Sequence, residues 1–378
     1  MSKRVIVNVI SLFLVGLLPV ATSSCQVTAP TPAVETRIVT VVETVVETVE
    51  VEKTSPYTYQ LLREMSDTGV YAGKPARGHV IAFANIDGQL PYASLVRQGI
   101  TDEWQSAGGF MEDLIIFDNM AESDKALENA QAVFDAGPEV FLQFQADPNA
   151  NALIGKGASD NGIFIIALEI PVPGYPLIGI DNFGASVMAG EWAAEKINNS
   201  YGGWDNIDRV IYLDSSGTGE RTALRIFGAK YVLGSRFGSS AHDRANGSKA
   251  VVFDGIIDAD RAGLAMQVFL QDYPEDEFIL VFCINDSAAQ GVYQSAVEAG
   301  RWDAEKWILV SHGLDDRGRE LVRSGIIDAD IAYFPENYGK YAVPAALSHI
   351  YGNAVPPYIF IENEVITEDN IGLYYPSG

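Results

Sequence analysis

The sequence predicts an α/β protein of two lobes, each a parallel sheet with helices wound on both faces. Three observations carry that expectation. From Gly78 onward, short apolar and β-branched runs alternate with amphipathic segments, the pattern of successive βα units. The alternation pauses at the glycine-rich turn Tyr201-Gly202-Gly203 and then resumes, giving two series of similar length. Residues 278–284 are continuously apolar, as a strand buried on both faces must be, before the chain turns through a polar pair into a helix over 287–299.

In the first series, a strand over 80–86 precedes a helix over 94–106, 114–117 precedes 123–134, and 140–144 precedes 149–159. A strand over 163–168 follows, and the run 176–185 holds another strand that ends at Asp181-Asn182 and opens a helix over 186–198. The second series pairs 210–213 with 220–233, 251–253 with 260–270, 278–284 with 287–299, and 307–310 with 316–323. A strand over 331–334, a helix over 338–351 and a strand over 358–366 complete the chain. In parallel sheets of this kind ligands lie at the carboxyl ends of the strands, and in two-lobed proteins between the lobes.

At 378 residues the chain is long enough for two domains with their own cores, and 48% hydrophobic with 20% charged residues is a globular balance. A formal net charge of -25 argues against nucleic acid or an anionic membrane surface as partner. Of the two cysteines, Cys25 lies in a processing region and Cys283 in a buried strand, so neither a disulfide nor a CxxC site is expected. Residues 1–25 read as an export signal: Lys3 and Arg4 lead an apolar run, and small residues precede Cys25. Cys25 resembles the lipidated cysteine of a bacterial lipobox, although Thr22 stands where leucine is usual, and ordinary signal-peptidase cleavage is the alternative. Residues 26–77 form a tether and a transition. The repeat TVVETVVETVEVE within them is poor in helix formers and self-repelling, and a short helix is possible over 59–65.

Enzyme signatures are missing: there is no GxGxxG, GxxxxGK[ST], GxSxG or HExxH. SSGTGER at 215–221 lacks the lysine a phosphate loop needs, and the four histidines are scattered without metal-ligand spacing. No cofactor or metal is expected. The strand ends do carry polar and aromatic residues: Asn85, Gln89 and Tyr92 after the first strand, Gln145 and Asp147 after the third, and Glu169 after the fourth. In the second series Arg221, Asn285, Asp315 and Tyr333 hold such places. Amides, carboxylates and a guanidinium pair with hydroxyls, and aromatic rings cover apolar C–H faces, so the set suits a sugar. Asp286 reads as the N-cap of the helix that follows it, which leaves Asn285 for the ligand. Capping alone would also account for Asp147 and Asp315, and half-buried packing for Tyr92 and Tyr333.

INDSAAQG at 284–291, followed by AVEAGR at 296–301, resembles the NDxxAxG element of the type I periplasmic binding proteins for sugars, the ribose- and galactose-binding group. IGIDNFGASVMAG at 178–190, SGTGERTALRIFGA at 216–229, HGLDD at 312–316, IAYFPENYGKYAV at 331–343 and GNAVPPYIFIENEVITEDNI at 352–371 are similar to further family elements in the family's order. The resemblance implies a three-strand hinge, with one lobe over 78–181 and 335–361 and the other over 182–334 and 362–372. It implies that Asn285 and Asp315 contact the sugar, and it places Asp181 and Asn182 at the hinge. Glu169 stands for the aspartate of an Asp-Arg pair whose arginine is Ile170 here, so pentose specificity does not transfer. Arg221 or Arg225 could supply the guanidinium, although Arg225 precedes Gly228 at a spacing that implies a structural role. The expected function is that of an exported, lipid-anchored, monomeric solute-binding protein. It is not an enzyme, and it closes two lobes over a small polar ligand for a membrane ABC permease. A sensor subunit presenting ligand to a membrane receptor is the alternative, with an unrecognised hydrolase behind it.

Overall fold

The apolar runs become strands of two six-stranded sheets, and the chain passes between those sheets three times. In this computed structural model the described residues are 55–238 and 249–376. The export signal, Cys25 and the threonine-valine-glutamate repeat lie outside them.

The first sheet grows from β1 (Ile81–Asn85), β2 (Leu114–Asp118), β3 (Val140–Gln143), β4 (Phe164–Leu168) and β5 (Leu177–Ile180). These alternate with α2 (Pro91–Ser106), α3 (Ser123–Ala136) and α4 (Pro148–Asn161), after an N-terminal helix α1 (Tyr59–Thr68). Helix α5 (Asn182–Ser200) then carries the chain across to the second sheet. That sheet contains β6 (Arg209–Leu213), β7 (Ala250–Phe253), β8 (Ile279–Cys283), β9 (Trp307–Gly313) and β10 (Ala329–Ala332), with α6 (Glu220–Phe237), α7 (Ala259–Asp272), α8 (Asp286–Glu298) and α9 (Asp316–Arg323). Helix α10 (Tyr338–Ile350) returns to the first lobe, and β11 (Tyr358–Ile361) pairs in parallel with β5. Strand β12 (Glu364–Ile366) crosses once more to lie antiparallel to β10, before a last short helix α11 (Ile371–Tyr374). The strand orders are β11-β5-β4-β3-β1-β2 and β12-β10-β9-β8-β6-β7. Both are doubly wound, and apart from β12 every pairing is parallel.

Two elements differ from expectation. Strand β10 lies two residues earlier than 331–334, because Asp330, a poor strand former by composition, is inside it and fully buried. The run 358–366 is two strands rather than one, split by Glu362-Asn363 where the chain changes sheet.

The β8 run is buried along its whole length, as its continuous hydrophobicity requires. Helices α5 and α6 approach closely because glycine stands at their contact: a Cβ on Gly228 would lie 2.6 Å from the Phe183 carbonyl oxygen and the Val187 nitrogen. The transition before β1 is part of the first lobe. Thr58 caps α1, whose Arg63 guanidinium lies 4.1 Å from the centre of the Tyr341 ring on α10. Pro344 sits inside α10 and lacks the N–H that would pair with the Lys340 carbonyl. Arg63 donates to that carbonyl instead, at 2.7 Å. Asn353 holds the Ser55 and Tyr57 carbonyls at 3.2 and 2.9 Å, and Tyr71 donates to Glu103 at 2.5 Å. Among the described residues no helix is long and apolar enough to cross a membrane.

Candidate functional site

The two sheets meet where strand ends and crossovers converge, and the site is built from both. From the first lobe, Glu169 follows β4 in a left-handed conformation, φ 61°, which turns its side chain inward; the residue is 7% exposed. Its Oε1 accepts from the Ile180 N–H at 3.1 Å and from the Tyr338 hydroxyl. Tyr338 begins α10 and shares a 2.8 Å hydrogen bond with the Tyr92 hydroxyl on α2, their rings meeting edge-on at 6.0 Å.

The second lobe contributes α6 and the end of β10. Arg221 donates through Nη2 to the Ile180 carbonyl at 3.0 Å, so the same residue of β5 is gripped by Glu169 through its N–H and by Arg221 through its oxygen. One turn further on, Arg225 donates through Nε to Asn182 Oδ1 at 2.9 Å, and its guanidinium lies 5.0 Å from the centre of the Tyr333 ring. Burial pushes the Glu169 carboxyl up, while Arg225 and Arg221 pull it back. Burial likewise raises the Tyr333 hydroxyl. Arg221 Nε and the Tyr333 hydroxyl are buried and meet no protein partner, so hydrogen-bonding capacity remains at this junction.

Of the residues singled out in the sequence, Tyr92, Glu169, Arg221 and Tyr333 therefore come together. The others lie around them in different roles. Asn85, 1% exposed, donates to the Ala93 carbonyl at 3.1 Å and accepts from the Ile86 N–H at 3.0 Å. Gln145 is equally buried; it accepts from the Ala146 N–H at 2.6 Å and donates to the Glu122 carbonyl at 3.3 Å. Asp147 caps α4, with Asn149 N–H at 2.8 Å and Ser123 Oγ at 2.6 Å, and those bonds lower its carboxyl pKa. Gln89 is exposed on the loop after β1. Asp315 caps α9, accepting from Gly318 N–H at 3.0 Å.

The cap assignment at 285–286 needs correction. Asn285, not Asp286, is the N-cap of α8: its backbone is extended, and its Oδ1 accepts from Ala288 N–H at 2.8 Å. Its Nδ2 donates to the Ile257 carbonyl at 3.2 Å. The helix starts one residue earlier than its hydrophobic pattern implied, and Asp286 is thereby turned into the protein, 1% exposed.

Two participants, Tyr338 and His312, escaped sequence reasoning. Tyr338 is legible in the sequence only as a helix start, whereas Arg225 is one of the two candidate guanidinium donors there, its spacing to Gly228 implying a structural role. His312 is 1% exposed beside Tyr333, ring centres 6.3 Å apart, with Nδ1 bonded to the Cys283 carbonyl at 2.9 Å. Burial pulls its imidazole down to about 4, so it is neutral, with Nδ1 carrying the proton. Concavity alone would have pointed elsewhere. A hollow of about 660 Å³, lined by Tyr201, Asp205, Asp208, Glu275 and Phe278 among others, lies by the residues that enter β6 and β8, at the opposite end of those strands. The convergence of partner-poor polar groups is the better guide to chemistry. Among the described residues no cluster of His, Cys, Asp and Glu is arranged to hold a metal ion.

Comparison with known proteins agrees with this architecture. A family model described as a periplasmic binding protein domain matches residues 81–354. No curated protein matches in sequence. An ABC transporter periplasmic solute-binding protein from Actinobacillus succinogenes 130z, solved with bound D-allose, superposes with a TM-score of 0.65 at 18% identity, covering 78% of this chain and 100% of its own. A periplasmic ribose ABC transporter protein from Conexibacter woesei DSM 14684 gives 0.68 at 15% identity, covering 81% and 98%. A solute-binding protein from Bacillus halodurans C-125 with bound myo-inositol gives 0.62 at 16%, covering 78% and 96%.

Proposed function

The chain belongs to the periplasmic binding protein family, and from that premise we propose that it is an extracytoplasmic solute-binding protein that closes two lobes over a small polar ligand, a sugar or polyol. The observation that carries this reading is the junction of Glu169, Tyr92 and Tyr338 from one lobe with Arg221, Arg225 and Tyr333 from the other. A hydroxyl can donate to a carboxylate and accept from a guanidinium at once, whereas a fully charged ligand meets one of those groups as a like charge. The aromatic rings offer apolar faces for a sugar's C–H surface. The ligands held by the structural neighbours, D-allose and myo-inositol, are of this chemical class.

Closure works as a population shift. A ligand that touches both lobes binds the closed form better and so favours it. The three passages of chain between the sheets are where bending is absorbed. Asn285 and Asp315 would contribute from the rim of the second lobe, with capacity beyond their capping bonds. Export, a lipid anchor at Cys25 and delivery to a membrane ABC permease complete the proposal, with the protein acting as a monomer and without turnover of its ligand.

A thermal-shift screen over D-allose, D-ribose, myo-inositol, disaccharides, nucleosides and amino acids tests it. Stabilisation by a sugar or polyol is expected. Stabilisation by amino acids alone would overturn the ligand class.

A further inference from the structure

A cluster of carboxyl groups stands beside the cleft, on the other face of the second sheet. Successive residues of a strand face opposite ways, so Ser311 points away from the side that carries His312. Ser311 pairs in register with Asp330 of β10. Asp286, at the start of α8, reaches both. Asp286 is 1% exposed and Asp330 is completely buried. Asp286 Oδ1 accepts from Ser311 Oγ at 2.7 Å, and its Oδ2 accepts from the Asp315 N–H at 2.8 Å.

Asp330 presents the puzzle. No hydrogen bond of ordinary geometry reaches either of its oxygens, although the Leu314 N–H lies close enough to act on it and its carboxyl adjoins that of Asp286 within hydrogen-bonding reach. Two ionised carboxylates so placed would repel in a site closed to water. A proton on Asp330, donated to Asp286, resolves both facts. It gives Asp330 a partner and leaves Asp286 ionised to accept from Ser311 and Asp315. The surroundings favour that state. Burial pushes Asp286 up to about 6 and Asp330 well above the carboxylate range, and Asp315 at the start of α9 adds a further negative charge. Among the described residues, Cys283 on β8, Tyr333 after β10 and Arg225 on α6 also feel Asp286, and of these Arg225 opposes it in sign.

The pair also fixes geometry. A Cβ on Gly318 would lie 2.4 Å from Asp286 Oδ2, so the first turn of α9 rests directly on this carboxylate. Asp315, the cap of that helix, is held by its own N–H, and Asn285 is the neighbour of Asp286 in the chain.

We propose that Asp286 and Asp330 share a single proton and act together as a positioning pair for Asn285 and Asp315. The shared proton is independent of any ligand; its consequence for binding rests on the cleft reading given above. Uptake of a second proton in acid turns Asp286 from a double acceptor into a neutral acid, and Asp315 loses its backbone partner.

Three measurements on the full chain test the proposal. Calorimetric unfolding at pH 7 in buffers of different ionisation enthalpy counts protons. Wild type should release one more proton than Asp330→Asn, whose amide supplies the same hydrogen bond permanently and keeps the fold. Equal counts overturn the shared proton. Hydrogen exchange then reports on the Asp315 amide, which should be protected in wild type and lose at least tenfold protection in Asp286→Asn. Protection that survives this substitution overturns the positioning role. Finally, a sugar or polyol that stabilises wild type in the thermal-shift screen should bind at least tenfold more weakly to Asp286→Asn, and unchanged affinity counts against the pair's effect on the site. If no such compound binds, the cleft reading fails, and the proton count and amide protection still decide this inference.

Discussion

The strand ends of the two lobes are built from different chemistry. In the first lobe, Glu169 apart, a network of carboxamides stands there: Asn119 donates to the Phe144 carbonyl at 3.1 Å, Asn129 donates to Asn119 Oδ1 at 2.9 Å, and Asn151 donates to the Gln145 carbonyl at 2.9 Å. In the second lobe the equivalent places hold acids and an imidazole, Asp286, Asp330 and His312, buried and shifted from their usual pKa ranges. An amide network has no proton to gain or lose, so this part of the first lobe's interior is indifferent to pH, with Glu169 the buried acid that stands apart from it. The second lobe purchases an equally ordered interior with groups whose charge state depends on the solvent.

The sharpest way to break that contrast is to remove one acid. Asp286→Ala leaves Ser311, Asp315 N–H and Asp330 without their common partner and should cost about 4 kcal/mol in urea unfolding, as for breaking a buried charged network. Next is pH. His312 has a folded pKa of about 4 against an ordinary 6.5, so its neutral form is favoured by folding. Its contribution is intact above 6.5 and is lost as pH falls through 4, about 3 kcal/mol in all. His312→Leu should remove that acid-side slope from the stability profile, and an unchanged slope would assign it to other groups. The acids run the other way. Because Asp286 and Asp330 are raised, their contribution is present below about 4 and is lost as pH rises through their folded values. In the first lobe, Asn119→Ala should cost about 2 kcal/mol for the donors and acceptors it strands, with the same loss at pH 5 and pH 8. A pH-dependent loss there would erase the contrast between the lobes. Asn285→Ala and Asp315→Ala should each weaken ligand binding by about 1 to 3 kcal/mol in titration calorimetry, and wild-type affinity in both would remove them from the site. Gln89→Ala, on an exposed loop, should change stability by less than about 0.5 kcal/mol.

The two series of βα units were legible because period and burial act on whole segments, where many residues vote together. A three-strand connection between the lobes came with the resemblance, and the chain does pass between the two sheets three times. Single residues were harder. Asn285 and Asp286 are both good caps, and only the backbone decides which one stands outside the helix. Asp330 argued against a strand by type, yet it lies inside one, fully buried and paired in register with Ser311 of β9. Tyr338 faces the site by helical phase and by the approach of two lobes, neither of which a linear reading contains, and the same two factors decide that Arg225, named with Arg221 as a candidate, lies there too. Asn85 and Gln145 sit where ligand residues would, but their own loops consume most of their hydrogen bonds.

The proline inside α10 has a practical bearing on where a gene fragment can begin. The regular pattern starts near Gly78 and the family match at residue 81, so either would be a natural place to cut. A fragment cut there loses Arg63, and with it the donor that satisfies the Lys340 carbonyl which Pro344 leaves open. It also uncovers Tyr341 and frees Asn353. A soluble, binding-competent product should therefore start no later than Ser55, and fragments begun at 78 should be recovered poorly and digested readily at α10.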